Sequence, residues 1–266
     1  MSSRLEAKAV TLGYGDRVVT TDLSARIPDG ELTVIIGPNA CGKSTLLRSL
    51  SRLLSPAKGS VMLDGRGVSS YHGKEFARML ALLPQSSDAP AGITVGDLVA
   101  RGRFPHQSFL RQWSPADETA VERALRATGV ESLALRGVDE LSGGQRQRAW
   151  LAMVLAQDTE LLLLDEPTTF LDIAHQIEVL DLCEMLHREG ERTIVAVLHD
   201  LNQAARYATH IIAMREGRIV AEGPPAEVVT ERLVAEVFGV RARVMEGPEN
   251  GAPLVVPLGL VDGAST

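Results

Sequence analysis

In GPNACGKST (Gly37–Thr45), four residues separate two glycines and Lys-Ser-Thr follows. This is the G-x-x-x-x-G-K-[ST] spacing of a phosphate-binding loop, which needs a strand before it and a helix after it. LTVIIG (Leu32–Gly37) supplies a continuous apolar run of the kind buried on both faces of a parallel sheet. A helix begins near Lys43. Past Gly37 and the N–H-free Pro38, the backbone N–H groups of Asn39, Ala40, Cys41, Gly42, Lys43 and Ser44 can converge on phosphate oxygens, assisted by the helix N-terminus. Lys43 reaches the β- and γ-phosphates of ATP, Ser44 ligates Mg²⁺ and Thr45 closes the motif. Cys41 has two readings: a thiol of lowered pKa at a helix start, open to oxidation, or a small residue that fits the loop.

LLLLDEP (Leu161–Pro167) puts Asp165 and Glu166 at the carboxyl end of a second buried strand, where ligands of open α/β sheets bind. Asp165 is the candidate Mg²⁺ holder, reaching the metal through water, and Glu166 the candidate that polarises the attacking water. An acidic pair there can also cap a turn. His199 closes TIVAVLH (Thr193–His199), as a structural histidine or as a hydrogen-bonding partner of the γ-phosphate. Gln85, after MLALLP, is either a polar strand end or a contact to γ-phosphate and Mg²⁺. Tyr14, in GYGD, either stacks on adenine or fills a turn.

A second glycine pair lies far downstream, in LSGGQ (Leu141, Ser142, Gly143, Gly144, Gln145). Ser-x-x-Gln is a capping box, in which Ser142 and Gln145 satisfy each other's helix-end donors. A capping box does not call for two glycines between its ends. Residues without side chains at a helix start admit a close approach to the backbone, and a helix N-terminus favours an anion. If the two phosphate surfaces lie on opposite flanks, a two-fold dimer brings Ser142–Gln145 of one copy onto Gly37–Thr45 of the other.

These residues need a frame. Alternation through Leu5–Leu12 and Arg17–Ile27 reads as antiparallel strands broken at Gly13–Asp16 and Pro28–Gly30. Further strands are expected at Gly59–Gly65, Met79–Gln85, Glu160–Glu166, Thr193–His199, His210–Arg215 and Arg218–Glu222. Helical spacing dominates Thr94–Gln157, clearest in Pro115–Thr128 and Gly143–Gln157, and returns in Asp172–Glu189 and in short helices to Phe238. A tail hairpin is expected around PENG (Pro248–Gly251). The sum is an α/β class chain with an N-terminal antiparallel β subdomain and an inserted α-helical subdomain at about 94–157. The division reads as one domain over 1–239 and a tail over 240–266.

Composition narrows the function. The chain has 266 residues, 45% apolar and 23% charged, as in a soluble globular protein. A net charge of −7 and no basic run argue against nucleic acid as partner. Cys41 and Cys183 make no disulfide framework. MSSRLEAKAV lacks the apolar stretch of a secretory signal, and LLLL falls far short of the roughly 20 apolar residues of a membrane span.

Taken in order, Tyr14, Gly37–Thr45, Gln85, LSGGQ, LLLLDEP and His199 resemble the P-loop ATPases of the ATP-binding cassette (ABC) family, over the chain to about Gly239. The resemblance implies a head-to-tail dimer that closes on two ATP molecules with Mg²⁺ and opens after hydrolysis. It implies that the loop before Asp172 crosses the dimer interface, where Thr169-Phe170-Leu171-Asp172 stands in place of the common Ser-Ala-Leu-Asp. Glu166, His199 and Lys43 would be the catalytic set, with Ser44, Gln85 and Asp165 around the metal. The helical insertion, hinged near Gln85, would transmit closure to integral membrane permease subunits, with a substrate-binding protein acting through them. The chain would then sit peripherally on the cytoplasmic face of the membrane.

More narrowly, RGRFPHQ (Arg101–Gln107), Thr168–Leu182 and GPNACGKSTLLR resemble ATPase subunits of bacterial ferric-siderophore importers, with haem and cobalamin importers as near relatives. Two other readings are a soluble cassette outside transport, of the iron–sulfur assembly type, and a nucleotide-dependent assembly switch. Paired cassettes or long coiled-coil insertions would mark translation or repair types, and Glu166 with His199 argues for real turnover.

Overall fold

The structure, a computed structural model, describes residues 3–85, 89–108, 113–169, 171–190, 192–248 and 251–261. Phe170 of the interface loop, and Glu249 and Asn250 of the tail turn, lie outside the described residues. The chain divides into two compact units, residues 1–69 with 193–266, and residues 70–192.

The first unit opens with β1 (Leu5–Tyr14), β2 (Arg17–Ile27), β3 (Leu32–Ile36), α1 (Lys43–Leu50), β4 (Lys58–Leu63) and β5 (Arg66–Gly67). The second holds α2 (Gly73–Ala77), β6 (Leu80–Leu83), α3 (Val95–Ala100), α4 (Pro115–Ala127), α5 (Gly143–Ala156), β7 (Leu161–Asp165) and α6 (Ile173–Gly190). The chain then returns to the first unit with β8 (Thr193–Val197), α7 (Leu201–Tyr207), β9 (His210–Arg215), β10 (Arg218–Gly223), α8 (Pro225–Val228), α9 (Glu231–Phe238), β11 (Val240–Glu246) and β12 (Pro253–Leu260).

In the first unit β1 runs antiparallel to both β2 and β4, with Leu5 opposite Ile27 and Leu63. Its inward residues are Leu5 and Ala7, then Val10 and Leu12. The alternation slips by one at Ala9, whose φ of 48° marks an irregularity between Ala7 and Val10. A second sheet sets β3 between β8 and β9, both parallel to it, with β10 antiparallel on the outside of β9. All five residues of β3 and all five of β8 are buried, as expected of strands in a parallel arrangement. The tail forms the β11–β12 hairpin. It is fastened to α7 by the Asn202 amide, which donates to the Val255 carbonyl (3.2 Å) and accepts from the Val255 N–H (2.7 Å).

In the second unit β6 and β7 pair in parallel, Leu80 with Leu161 through Leu83 with Leu164. The helices expected over 94–157 are α3, α4 and α5, joined by 3₁₀ turns. Helix α4 starts where its sequence says it should: Ser114 and Asp117 form a reciprocal capping box and Pro115 occupies the first turn. The strands expected to reach Gln85 and His199 stop at Leu83 and Val197, and the short helices α2 and α7 have no periodicity that marks them. At five and seven residues they are set by their caps; Asp200 accepts the N–H groups of Asn202 and Gln203 to start α7.

Arg103 in the RGRFPHQ stretch is structural. Its guanidinium donates to Asp117 (2.8 Å) and to the carbonyl of Ala156 (2.8 Å), tying the 101–106 turn to the start of α4 and the end of α5. Arg103 and Asp117 are only 6% and 4% exposed. Burial opposes ionisation of Asp117, but the Ser114 hydroxyl and the Arg103 guanidinium outweigh it and hold the carboxyl below its ordinary pKa. Removing the arginine strands a buried carboxylate. Arg103→Met should therefore cost about 3 kcal/mol at neutral pH, read by urea unfolding. A depressed folded-state pKa stabilises above the ordinary aspartate range and is lost as pH falls through the folded value. The gap between parent and variant should accordingly shrink in acid.

Candidate functional site

The loop between β3 and α1 is shaped by its glycines and its lysine. Gly37 has φ 150° and Gly42, the N-cap of α1, has φ 109°. A Cβ on Gly37 would lie 2.2 Å from the Met214 carbonyl oxygen, so β9 forbids any side chain there. The loop is pinned from the β9–β10 turn by the Gly217 N–H, which donates to the Cys41 carbonyl (2.9 Å). Lys43 is buried, and its Nζ donates to the carbonyls of Gly37 (2.7 Å) and Pro38 (2.9 Å). The ammonium thus curls the loop around itself, among groups that offer partial negative charge to a cation. Asn39 and Ala40 are exposed, Pro38 and Ser44 half-buried, and Thr45 buried.

The thiol of Cys41 does not have the lowered pKa that its place before a helix suggests. Burial pushes it up, and the nearby Lys43 charge offsets only part of that. Its Sγ fills the space beside Gly37, which supports the space-filling reading. Cys183 is fully buried, its pKa pushed up to about 12. Tyr14 stands 46% exposed as the last residue of β1, and Arg48 of α1 donates to its hydroxyl (3.4 Å). His199 is exposed between β8 and the Asp200 cap of α7.

In the second unit Asp165 ends β7 and is 2% exposed. Glu166 follows in left-handed backbone, φ 54°, which a non-glycine residue adopts at a cost of about 1–3 kcal/mol. Its Oε2 accepts from Gln85 Nε2 (2.8 Å) and from Thr169 Oγ1 (3.1 Å). The main chain closes the same turn, since Thr169 N–H donates to the Glu166 carbonyl (3.2 Å). Gln85 therefore meets Glu166 directly, which makes it more than a polar strand end. Gln147 of α5 donates to the Pro167 carbonyl (3.1 Å). Neither Thr169 nor Gln147 stood out in the sequence as a functional candidate; their significance comes from what they touch.

At the start of α5 the capping box is formed. Ser142 Oγ accepts from the Gln145 N–H (3.3 Å), and Gln145 Oε1 accepts from the Ser142 N–H (3.1 Å). Leu141 is buried and anchors the motif, while Ser142 and Gly143 are exposed. A Cβ on Gly144 would meet Leu171 at 3.5 Å and His175 at 3.6 Å, ordinary contact distances. Unlike Gly37, Gly144 is not demanded by its own chain. Asp172 caps α6: its Oδ1 accepts from the His175 N–H (2.9 Å) and lies 2.6 Å from His175 Nδ1. Those two bonds hold its carboxyl below the ordinary aspartate range.

Ser44, Gln85 and Asp165 offer a hydroxyl, an amide and a carboxylate. Among the described residues there is no cluster of three or more His, Cys, Asp or Glu. Hydroxyl, amide and carboxylate are each an oxygen donor of the kind Mg²⁺ takes, a hard ion that keeps water and substrate phosphates among its other ligands.

The ABC transporter family model matches residues 20–169. The chain is 57% identical to the ferric enterobactin transport ATP-binding protein FepC of Escherichia coli (strain K12), over 97% of this chain and 95% of that one. It is 53% identical to the petrobactin import ATP-binding protein FpuD of Bacillus anthracis, over 97% and 95%. Among solved structures it is similar to an inward-facing transporter described as of the metal-chelate ABC type, with TM-score 0.82 and 26% identity, covering 97% of this chain and 98% of that one. It is also similar to a dimeric bacterial ABC transporter cassette, with TM-score 0.74 and 26% identity, covering 83% and 98%. On a mixed α/β P-loop fold with these motifs in this order, the chain belongs to the ABC transporter family, as an ATP-hydrolysing, ATP-binding subunit.

Proposed function

We propose that this chain hydrolyses ATP to energise uptake of an iron–siderophore complex through partner membrane subunits. The observation that carries the cargo assignment is its 57% and 53% identity, nearly end to end, to ATP-binding proteins of ferric enterobactin and petrobactin transport. A hemin import ATP-binding protein of Myxococcus xanthus is 42% identical over 97% of the chain, which makes haem the second reading.

Two copies act together, head to tail, in this proposal. The N–H groups of Asn39–Ser44 receive the phosphates, and Lys43 exchanges the Gly37 and Pro38 carbonyls for β- and γ-phosphate oxygens. Tyr14 stacks on the adenine. Ser44, Asp165 and Gln85 would hold Mg²⁺, which supplies charge neutralisation at the phosphates. Glu166 orients the attacking water and accepts its proton. His199, with Ser142 and Gly144 of the opposing copy, stabilises charge on the γ-phosphate. Asp172 lies where the copies meet. Support for the opposing-copy role is that a Cβ on Gly144 would make only ordinary contacts with Leu171 and His175, so its own chain does not require glycine there.

The partner side is an exposed aromatic face of the second unit. Phe104 (62% exposed) and Trp113 (48%) border a cleft of about 560 Å³ with Asp97, Ala100, Arg101 and Gln107. Lys74 Nζ sits 4.5 Å from the Phe104 ring centre. Such a patch suits a permease loop, consistent with a peripheral position at the cytoplasmic face of the membrane. Among the described residues no helix is long and apolar enough to cross a membrane.

Glu166→Gln should bind ATP but hydrolyse it at least ~100-fold more slowly, accumulating as a closed dimer on a sizing column; near-parent turnover removes Glu166 from the role of base. Gly144→Ala, whose methyl fits at ordinary contact distances, should keep the parent melting temperature while lowering turnover on the order of 100-fold. In the complete transporter, a ferric siderophore should stimulate ATPase activity. Stimulation by haem instead would redirect the cargo assignment.

A further inference from the structure

The residue that hydrolyses ATP in one copy and the helix that completes the site of the other are joined within a single chain. Glu166 is aimed from a left-handed turn, which needs outside support to hold a non-glycine residue. The support comes from two sides. Thr169 Oγ1 donates to the Glu166 carboxylate (3.1 Å), and its N–H closes the turn on the Glu166 carbonyl. From α5, two residues beyond the Ser142–Gln145 cap, Gln147 Nε2 donates to the carbonyl of Pro167, the next residue after Glu166. Gln147 is half-buried, so its bond has little competition from water.

We propose that Thr169 and Gln147 are positioning residues: Thr169 sets the direction of the Glu166 carboxylate, and Gln147 ties that setting to the signature helix α5. This rests on the reading of Glu166 as the residue that activates water. Helix α5 presents Ser142 and Gly144 to the triphosphate bound by the opposing copy. Any shift of its first turns pulls through Gln147 on the Pro167 carbonyl, and so on the backbone of Glu166, which serves the copy's own triphosphate. Occupancy of one site then adjusts the base of the other. The coupling is carried by a hydrogen bond between a helix and a strained turn.

The test is steady-state ATPase activity of the full-length chain with Mg-ATP, in parent, Thr169→Val, Thr169→Ser, Gln147→Met and Glu166→Gln forms. Each preparation is first checked for nucleotide binding, which reports folding. Thr169→Val should lower kcat about 10-fold with KM within about twofold, because a lost bond to a positioned base acts on the transition state. Thr169→Ser, which keeps the hydroxyl, should restore kcat to within about twofold. Gln147→Met should lower kcat and bring the Hill coefficient for ATP from about 2 toward about 1, the limits for two coupled and two independent sites. Added to Glu166→Gln, Thr169→Val should change the residual rate less than about twofold, since a residue acting through Glu166 has nothing left to position. Parent-like kcat in Thr169→Val, or a parent-like Hill coefficient in Gln147→Met, overturns the inference, as does a full further loss in the double variant. A Glu166→Gln chain that hydrolyses ATP at the parent rate would instead overturn the assignment of the base itself.

Discussion

Two hydrogen bonds converge on one oxygen of Glu166, from Gln85 and Thr169, while its backbone is held left-handed. The balance is close. The backbone conformation costs about 1–3 kcal/mol, and a hydrogen bond to a charged group returns about 1.5–3 kcal/mol. Proline at 167 narrows the choices of Glu166 further, because the residue before a proline is restricted. The turn therefore depends on its partners, which suits the role of base proposed for Glu166. Gln85 is also a candidate metal ligand, so the same amide that holds Glu166 has reason to leave it when nucleotide arrives.

The glycines divide by what they answer to. Gly37 and Gly217 face carbonyl oxygens of their own unit at distances no Cβ tolerates, 2.2 Å in both cases. Their role is to let the phosphate loop lie against β9 and the turn after it lie against β2. Gly144 faces side chains at 3.5 Å and beyond. Its own chain would tolerate a methyl there, and the helix N-terminus beside it favours an anion. The capping box at Ser142 and Gln145 is thus compatible with the proposed second phosphate surface: the side chains order the helix start, and the bare backbone between them is what a phosphate would approach.

The buried strands and the long helices were legible because their patterns are redundant. Four apolar residues and one threonine in LTVII, and four leucines in LLLL before Asp165, leave little choice but a fully covered strand, and β3 and β7 are that. The His210–Arg215 strand and the start of α4 fall where the sequence puts them. The short helices at Gly73–Ala77 and Leu201–Tyr207 were not legible, because caps rather than periodicity define them. Within the site, residue types and spacing marked Lys43, Asp165, Glu166 and Gln85, but gave no hint that Gln85 touches Glu166. Gln147 was invisible for a related reason: a hydrogen bond between a helix and a turn some twenty residues apart leaves no period in the sequence. Thr169 stood in the quoted interface loop, but nothing in its residue type marks its bond back to Glu166. Cys41 shows the opposite failure, a local rule about helix starts overridden by burial.

In the proposed dimer, neither chain alone carries a finished hydrolytic centre. The measurement that decides this is ATPase rate against chain concentration, at saturating Mg-ATP and with permease absent, from well below to well above the range in which dimers form. Specific activity should vanish on dilution and climb with concentration to a plateau. A specific activity that stays at the plateau value in preparations shown by light scattering to be monomeric would contradict it.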